Sequence, residues 1–259
     1  MSIPKIIHYC WFGGNDLPEE VVKCINSWKK CCPDYKIIRW DESNYDYNRY
    51  RFTKEAYAQK KWAFVSDVAR LDIVYNHGGI YLDTDVELLK SLDFLLQEPA
   101  FMGFQQGRAV ATGLGFGAER HNKLIGKNLE AYYDIPFIKE DGSLDLTPCP
   151  EITTKVLERY GLIREDTTQE LEQMKILPSE FFSPMLLIGG AEITENTVSI
   201  HHYAGTWTTV EEKSGAMQRR KIYTKYGKIG LRIFDGYNMF KTQGWRAFVK
   251  RCIEIIKVK

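Results

Sequence analysis

The stretch Gly78-Gly79-Ile80-Tyr81-Leu82-Asp83-Thr84-Asp85 decides the fold. Two glycines mark a turn, an apolar run follows, and two carboxylates stand one residue apart. Side chains on a strand alternate between its faces. The pattern therefore predicts Ile80, Leu82, Thr84 and Val86 toward a core, and Tyr81, Asp83 and Asp85 together on the opposite face. In open α/β sheets, ligands bind beyond the carboxyl ends of strands, which is where the acids fall. Two carboxylates held so close repel unless a cation or a proton relieves them. A hard divalent ion, magnesium or manganese, takes oxygen ligands and commonly shares its shell with substrate phosphates. The pair thus points to a metal-bound nucleoside diphosphate; a loop cap or pairing with lysines is the plainer alternative.

Upstream, Trp62 to His77 has helical spacing, with Phe64, Val68, Leu71 and Tyr75 on one apolar face. Asp67 and Arg70 are three apart and so neighbours on that helix. An exposed ion pair of this kind contributes little, but this helix leads through Gly78-Gly79 into the acids, so both side chains can reach the same cleft. Ile3 to Phe12 reads as a strand buried on both faces, and Gly13-Gly14-Asn15-Asp16 as a turn. Pro18 to Lys30 reads as a helix whose first turn suits Pro18, Glu19 and Glu20. Tyr35 to Trp40 follows as a second strand. This β-α-β opening predicts a parallel sheet. Trp11, at the end of the first strand, fits either a core or a platform for a nucleotide base.

Residues 43–60 are polar and rich in tyrosine and read as loops and short helices. Phe101 to Phe104 reads as a strand, Asn122 to Tyr133 and Glu151 to Tyr160 as helices, and Val198 to Tyr203 as a late strand. Ile176-Leu177 and Phe181-Phe182 read as short strands and turns. Gln105 to Gly117 is rich in Gly, Ala and Gln without amphipathic period, and reads as a lid, an acceptor-binding loop or plain connection.

At 259 residues, the chain suits one large domain with an appendage. Its composition, 44% hydrophobic and 27% charged, is ordinarily globular. No apolar run is long enough to span a bilayer, and Met1-Ser2-Ile3-Pro4-Lys5 does not open a signal peptide. The six cysteines form no C-x-x-C pair and fit no zinc site, so a reduced, cytoplasmic chain is expected. Charge is uneven. Lys213 to Lys259 holds 13 Lys/Arg against 2 acids (+11), and the remainder 22 against 32 (−10), which recovers the overall +1. Trp245, Phe248, Val249, Cys252, Ile255 and Ile256 fall at helical spacing among these bases. The block 218–259 therefore reads as a basic amphipathic helix, either docked with a solvated face or serving as a peripheral anchor on an anionic membrane. Expected domains are 1–215 and a basic helical extension, 216–259.

Three segments, Ile3 to Gly14, Ser66 to Asp85 and His201 to Trp207, resemble glycosyltransferase family 32, which carries a DXD sugar-binding region. The clostridial glucosylating toxins share a related core. The resemblance spans residues 3 to about 207. It implies a GT-A fold, a Rossmann-like mixed sheet with helices on both faces, and transfer with retention of anomeric configuration. By position, Trp11 is similar to the base-stacking residue, Asp67 and Arg70 to the pair that holds the donor sugar hydroxyls, with Ser66 beside them, and Tyr81 to a donor-pocket phenol. Asp83 falls where the family touches ribose and sugar, and Asp85 where it ligates metal. His202 falls at the late metal ligand, with His201 as the alternative because the doublet blurs the register. Trp207 is similar to the residue over the leaving phosphate; the family often has Ser before that Trp, where this chain has Thr206.

The implied catalytic set is Asp67, Arg70, Asp83, Asp85 and Trp207, with Asp85, His202 and Asp83 around a manganese or magnesium ion. A divalent ion and the Trp207 indole would stabilise charge on the leaving phosphate. No double-displacement nucleophile is legible, so front-face attack by the acceptor is the working mechanism. The expected donor is a nucleotide-diphosphate sugar, UDP-hexose ahead of GDP-mannose. The expected acceptor is a glycan or lipid-linked saccharide in surface (capsular) polysaccharide synthesis, met at the inner membrane face. A toxin-like effector that glycosylates a protein would have the same core. A non-catalytic sugar-nucleotide-binding protein is disfavoured because the acids, Arg70 and the histidines are intact. No nucleic-acid partner is expected, and a nucleotidyltransferase would need a triphosphate cradle that the chain lacks.

Overall fold

The computed structural model describes residues 2–106, 108–184 and 192–204. These belong to a compact unit comprising Met1–Met185 and Ala191–Trp207. The expected basic helix of 216–259 and Trp207 lie outside the described residues.

The chain opens with β1 (Ile6–Cys10), α1 (Glu19–Cys31) and β2 (Lys36–Trp40), and β1 pairs with β2 in parallel. Then come α2 (Arg51–Ala58), α3 (Trp62–His77), β3 (Gly79–Tyr81) and β4 (Val86–Leu88). Next are β5 (Ala100–Gln105), β6 (Ala109–Val110), β7 (Phe116–Ala118), α4 (Lys123–Glu130) and α5 (Cys149–Glu158). β8 (Gln169–Leu171), β9 (Met174–Leu177), the single turn α6 (Ser179–Phe182) and β10 (Ser199–His201) complete the described elements. The main sheet runs β2-β1-β3-β7-β5-β9-β8, with β6 on β5, and β4 pairs with β10 in a separate two-stranded sheet. β1, β2, β3, β5 and β9 run one way; β7 is antiparallel to both β3 and β5. The mixed α/β fold expected from the sequence is borne out.

Strand alternation divides the core between the two sheet faces. Cys10, Tyr81 and Met102 pack with α2, α3 and α4 on one side, and Ile7, Tyr9, Ile80 and Phe101 pack with α1 and α6 on the other. Helices thus cover both faces, as strands buried on both sides require. α1 is anchored by Trp28, fully buried, whose indole N–H donates to the Val86 carbonyl at 2.7 Å. The same indole meets the Tyr9 ring edge-on. α1 therefore braces the strand that leaves the two acids.

Three readings from sequence change. The alternating strand ends at Tyr81: Leu82 and Asp83 are irregular and Thr84-Asp85 form a turn closed by Val86 N–H to Asp83 O at 3.0 Å. Gln105 to Gly117 is neither lid nor plain loop, since β6 and part of β7 lie in it and Val110 to Ala118 are buried. Its glycines answer to close packing rather than to mobility; a Cβ on Gly117 would sit 2.6 Å from Phe101 Cε1. Phe181-Phe182 end a helical turn rather than a strand. β8 carried no readable signal.

His8 fixes the entrance to β3. Its Nε2 donates to the Gly78 carbonyl at 2.9 Å while Nδ1 accepts from the Trp40 indole at 3.0 Å. Both bonds suit the neutral ring. Burial lowers its pKa to about 4, helped by His77 and Lys36 and opposed by the Gly78 bond. The unfolded chain therefore takes up this proton first as pH falls. His8 should contribute full stability above about pH 6.5 and lose about 3 kcal/mol of it by pH 4. Urea unfolding of the wild-type chain and of His8→Gln across that range should show this loss only in the former; parallel curves would refute it.

Candidate active site

α3 supplies the first wall. Arg70 is almost wholly buried, and every guanidinium nitrogen has a protein partner. Nε donates to the Ser66 carbonyl at 3.0 Å. Nη2 lies 2.8 Å from Asp67 Oδ1 and 3.4 Å from Asp83 Oδ1. Nη1 reaches Thr112 Oγ1 at 3.3 Å and Cys149 Sγ at 4.0 Å. The guanidinium also lies over the Tyr81 ring, 5.1 Å from its centroid. The i, i+3 pair that would be minor on a surface is here the buried centre of a network.

Tyr81, the last residue of β3, donates from its hydroxyl to Asp83 Oδ1 at 3.1 Å. Burial pushes the Asp83 and Asp67 carboxyls up, and the positive charge of Arg70 opposes this in both. The Asp83 charge adds to the rise at Asp67, and the Asp85 charge adds to the rise at Asp83.

Asp85 sits at the turn's end. Its Oδ1 lies 3.0 Å from His201 Nε2, and its Oδ2 accepts from the Ala204 N–H at 2.8 Å. Burial alone would raise its pKa, but the His201 bond and the Ala204 N–H outweigh that and hold it at about 2. β10 brings His201 there through its antiparallel register with β4, in which His201 faces Val86. His202, whose backbone N–H donates to Asp85 O, turns its ring outward to Glu87 at 3.0 Å. Of the histidine doublet it is therefore His201, the alternative, whose ring meets the acids.

Asp83, Asp85 and His201 each offer a ligand atom, and these atoms lie within 4.8 Å of one another. The two carboxylates suit a hard manganese- or magnesium-class ion, and the added imidazole favours manganese of the two. The other ring nitrogen of His201, Nδ1, is buried without a hydrogen-bond partner among the described residues, and the Tyr203 ring packs edge-on against the imidazole at 4.2 Å between centroids.

Trp11 follows β1 beside β3, at the carboxyl end where the acids lie, half-buried, its indole donating to Asn15 O at 2.7 Å. Ser66 donates within α3 to Trp62 O. Trp207 lies outside the described residues. Sequence reasoning missed Thr112, Gly113 and Cys149. Only the small-residue run around Gly113 hinted at close approach: a Cβ there would lie 2.4 Å from Asp83 Oδ2 and 3.2 Å from Arg70 Nη1.

Residues 18–102 match the family model described as the glycosyltransferase sugar-binding region containing DXD motif. Inositol phosphoceramide mannosyltransferase 3 of Schizosaccharomyces pombe is 31% identical, over 53% of this chain and 41% of that protein. Mannosyl phosphorylinositol ceramide synthase CSH1 of Saccharomyces cerevisiae is 33% identical, over 54% and 40%. Human alpha-1,4-N-acetylglucosaminyltransferase is 26% identical, over 50% and 35%. The chain thus spans about two fifths of the length of the first two relatives. Among solved structures, PaToxG Glycosyltransferase aligns with a TM-score of 0.49 at 21% identity, covering 61% of this chain and 70% of that one. Residues 18–102 therefore carry the sugar-binding region of the DXD-containing glycosyltransferases, the family the sequence resembles. Among the described residues no helix is long and apolar enough to cross a membrane.

Gly113→Ala should destabilise the fold by about 1–3 kcal/mol, since Asp83 is pinned and cannot yield freely. The penalty should shrink in an Asp83→Gly background, as a double-mutant cycle by urea unfolding would read. Equal penalties in both backgrounds would mean that Gly113 does not press on Asp83.

Proposed function

We propose that this glycosyltransferase moves a hexose, with retention, from a nucleotide-diphosphate sugar to a glycan or lipid-linked saccharide, with a divalent ion at Asp83, Asp85 and His201. The juxtaposition of that triple with the Asp67–Arg70–Asp83 network carries the reading. Charge supports it. Asp67, Asp83 and Asp85 against Arg70 leave two negative charges, which one divalent cation balances. Such an ion, when bound, supplies positive charge against the diphosphate leaving group.

The chain's own groups do the rest. Asp67 and Asp83 present carboxylate oxygens to sugar hydroxyls, and Arg70 holds them in place rather than reaching far itself, because its nitrogens are already engaged. The Asp67 carboxylate also favours an oxocarbenium-like state at the anomeric carbon. Trp11 stacks on the base, and Trp207 donates to the leaving phosphate. The acceptor hydroxyl attacks from the face the diphosphate leaves. The printed names of the relatives divide between mannosyl and N-acetylglucosaminyl transfer, so the hexose is proposed only by class, with UDP ahead of GDP as carrier. Ceramide in several of those names supports a lipid-linked acceptor, which the basic block 218–259 would meet at an anionic membrane face during surface polysaccharide synthesis.

Calorimetry with UDP, GDP, UDP-glucose, UDP-galactose, UDP-N-acetylglucosamine and GDP-mannose, each with manganese and with EDTA, tests the reading; metal-dependent binding of one donor is expected, and none binding would sink it. Asp85→Asn should abolish metal-dependent donor turnover while leaving the far-UV circular dichroism of the folded chain unchanged; normal turnover would refute the ligand role. His201→Ala should weaken manganese binding at least about tenfold, since even partners one shell out are worth that much, and His202→Ala should weaken it less. The opposite order would return the ligand role to His202.

A further inference from the structure

A second concavity, of about 220 Å³, opens beside α3 away from the acids. Its lining includes Trp40, Tyr45, Arg49, Asp72, Asn76 and His77. An α-helix turns roughly 100° per residue, so Asp72, five residues beyond Asp67, faces well round the helix from the site described above. The rings of Trp40 and His77 lie 5.1 Å apart and tilted by 39°, forming an angled aromatic wall.

The polar groups here are incompletely used. Asp72 is buried, and its Oδ1 accepts from Tyr50 Oη at 2.9 Å and Asn76 Nδ2 at 2.8 Å. Arg49 Nη1 lies at a long 3.4 Å from each of the two carboxylate oxygens. The Tyr45 hydroxyl, on a buried side chain, completes no well-formed hydrogen bond among the described residues, although the Asp72 carboxylate lies near enough to act on it. A buried hydroxyl left so costs about 1–3 kcal/mol. The lining mixes aromatic rings with convergent polar groups, a make-up that suits a small polar molecule better than an apolar one.

We propose that this cavity is a second saccharide-binding site that takes one neutral sugar ring, an inference that rests on the glycosyltransferase reading for its choice of ligand. Size and charge select that class. The volume falls below the roughly 300–1,000 Å³ of sites for drug-sized molecules, too small for a nucleotide. Asp72 and the exposed Asp46 outnumber Arg49 along the lining, which disfavours anions such as free phosphate. Vicinal sugar hydroxyls would donate to Asp72 Oδ2 and accept from Tyr45 and Arg49, while the ring's C–H face lies on Trp40.

The test uses the full-length chain labelled with ¹⁵N in tryptophan. Methyl glycosides of mannose, glucose, galactose and N-acetylglucosamine are titrated in, with inorganic phosphate as control. One glycoside should shift the Trp40 indole N–H resonance with millimolar affinity, and phosphate should not. Arg49→Ala, a change at an exposed side chain, should weaken that binding about tenfold, the loss expected for one charge-assisted hydrogen bond, and leave manganese-dependent nucleotide binding unchanged. No shift with any glycoside, or a shift indifferent to Arg49→Ala, would overturn the site and leave ordered water as its occupant. Nucleotide binding is measured on the same samples. Its absence with every nucleotide would refute the glycosyltransferase reading, whereas its presence without a Trp40 shift would refute the second site alone.

Discussion

The burial of the Arg70 guanidinium is the constraint on which the rest of the site depends. Taking an ion out of water costs several kcal/mol even after relaxation, so a cation only 3% exposed survives only if its partners are fixed in advance. Here the oxygen partners come from three separate parts of the chain: Asp67 and Ser66 one turn back on α3, Asp83 just past β3, and Thr112 in the turn before β7. Each partner is short-tethered, so α3, the end of β3 and the 112–114 turn are locked to one another. The network carries more negative than positive charge, and the same burial that strengthens the Arg70 pairs pushes Asp67 and Asp83 toward protonation. A site in that condition attracts cations.

Sheet topology delivers those partners without long loops. β1 and β3 lie side by side in parallel, which sets Trp11 and the acids at one end of the sheet. β7 then inserts antiparallel between β3 and β5, so the residues just before it, Thr112 and Gly113, arrive beside Asp83 from the opposite direction. Such an insertion needs small residues. Gly117 passes against Phe101 and Ile80, and Gly113 passes against Asp83, with no room for a Cβ at either place. On the other face, Trp28 and its bond to Val86 hold the strand that carries the chain away from Asp85.

Much of this was legible in the residues. α3 begins and ends at Trp62 and His77 as the spacing indicated, and the β-α-β opening has the parallel register it implied. The pairing of Asp67 with Arg70 and the closeness of Asp83 to Asp85 were readable because they depend on local spacing. What was not readable depends on contacts between distant segments. Gln105 to Gly117 has no period of its own because β7 is buried by neighbours on both sides, so composition alone suggested a loop. Strand alternation was extended too far past Tyr81 for the converse reason: a tight turn closed by one backbone bond, Val86 N–H to Asp83 O, mimics in sequence the period of a continuing strand.

That turn also explains how two acids and a histidine come to share one position. In a strand carried on through Asp85, the acids would project in the same direction some 7 Å apart along the chain, given a rise of about 3.4 Å per residue. Turning the chain between them closes that separation and leads into β4, which needs a partner. The partner is β10, so the third member of the triple is chosen by strand register rather than by anything near the acids in sequence. A slip by one residue would exchange His201 for His202 and reverse the faces of the whole strand. Backbone bonding at Val198 and the burial of Ser199 resist it. Val198, buried, donates its N–H to Phe181 O and accepts from Leu89, and Ser199 is fully buried opposite Leu88. A slip would carry the part-exposed Ile200 into the place of Ser199 and draw Val198 out of the core. The packing of two small residues well away from the acids therefore determines which imidazole meets Asp85.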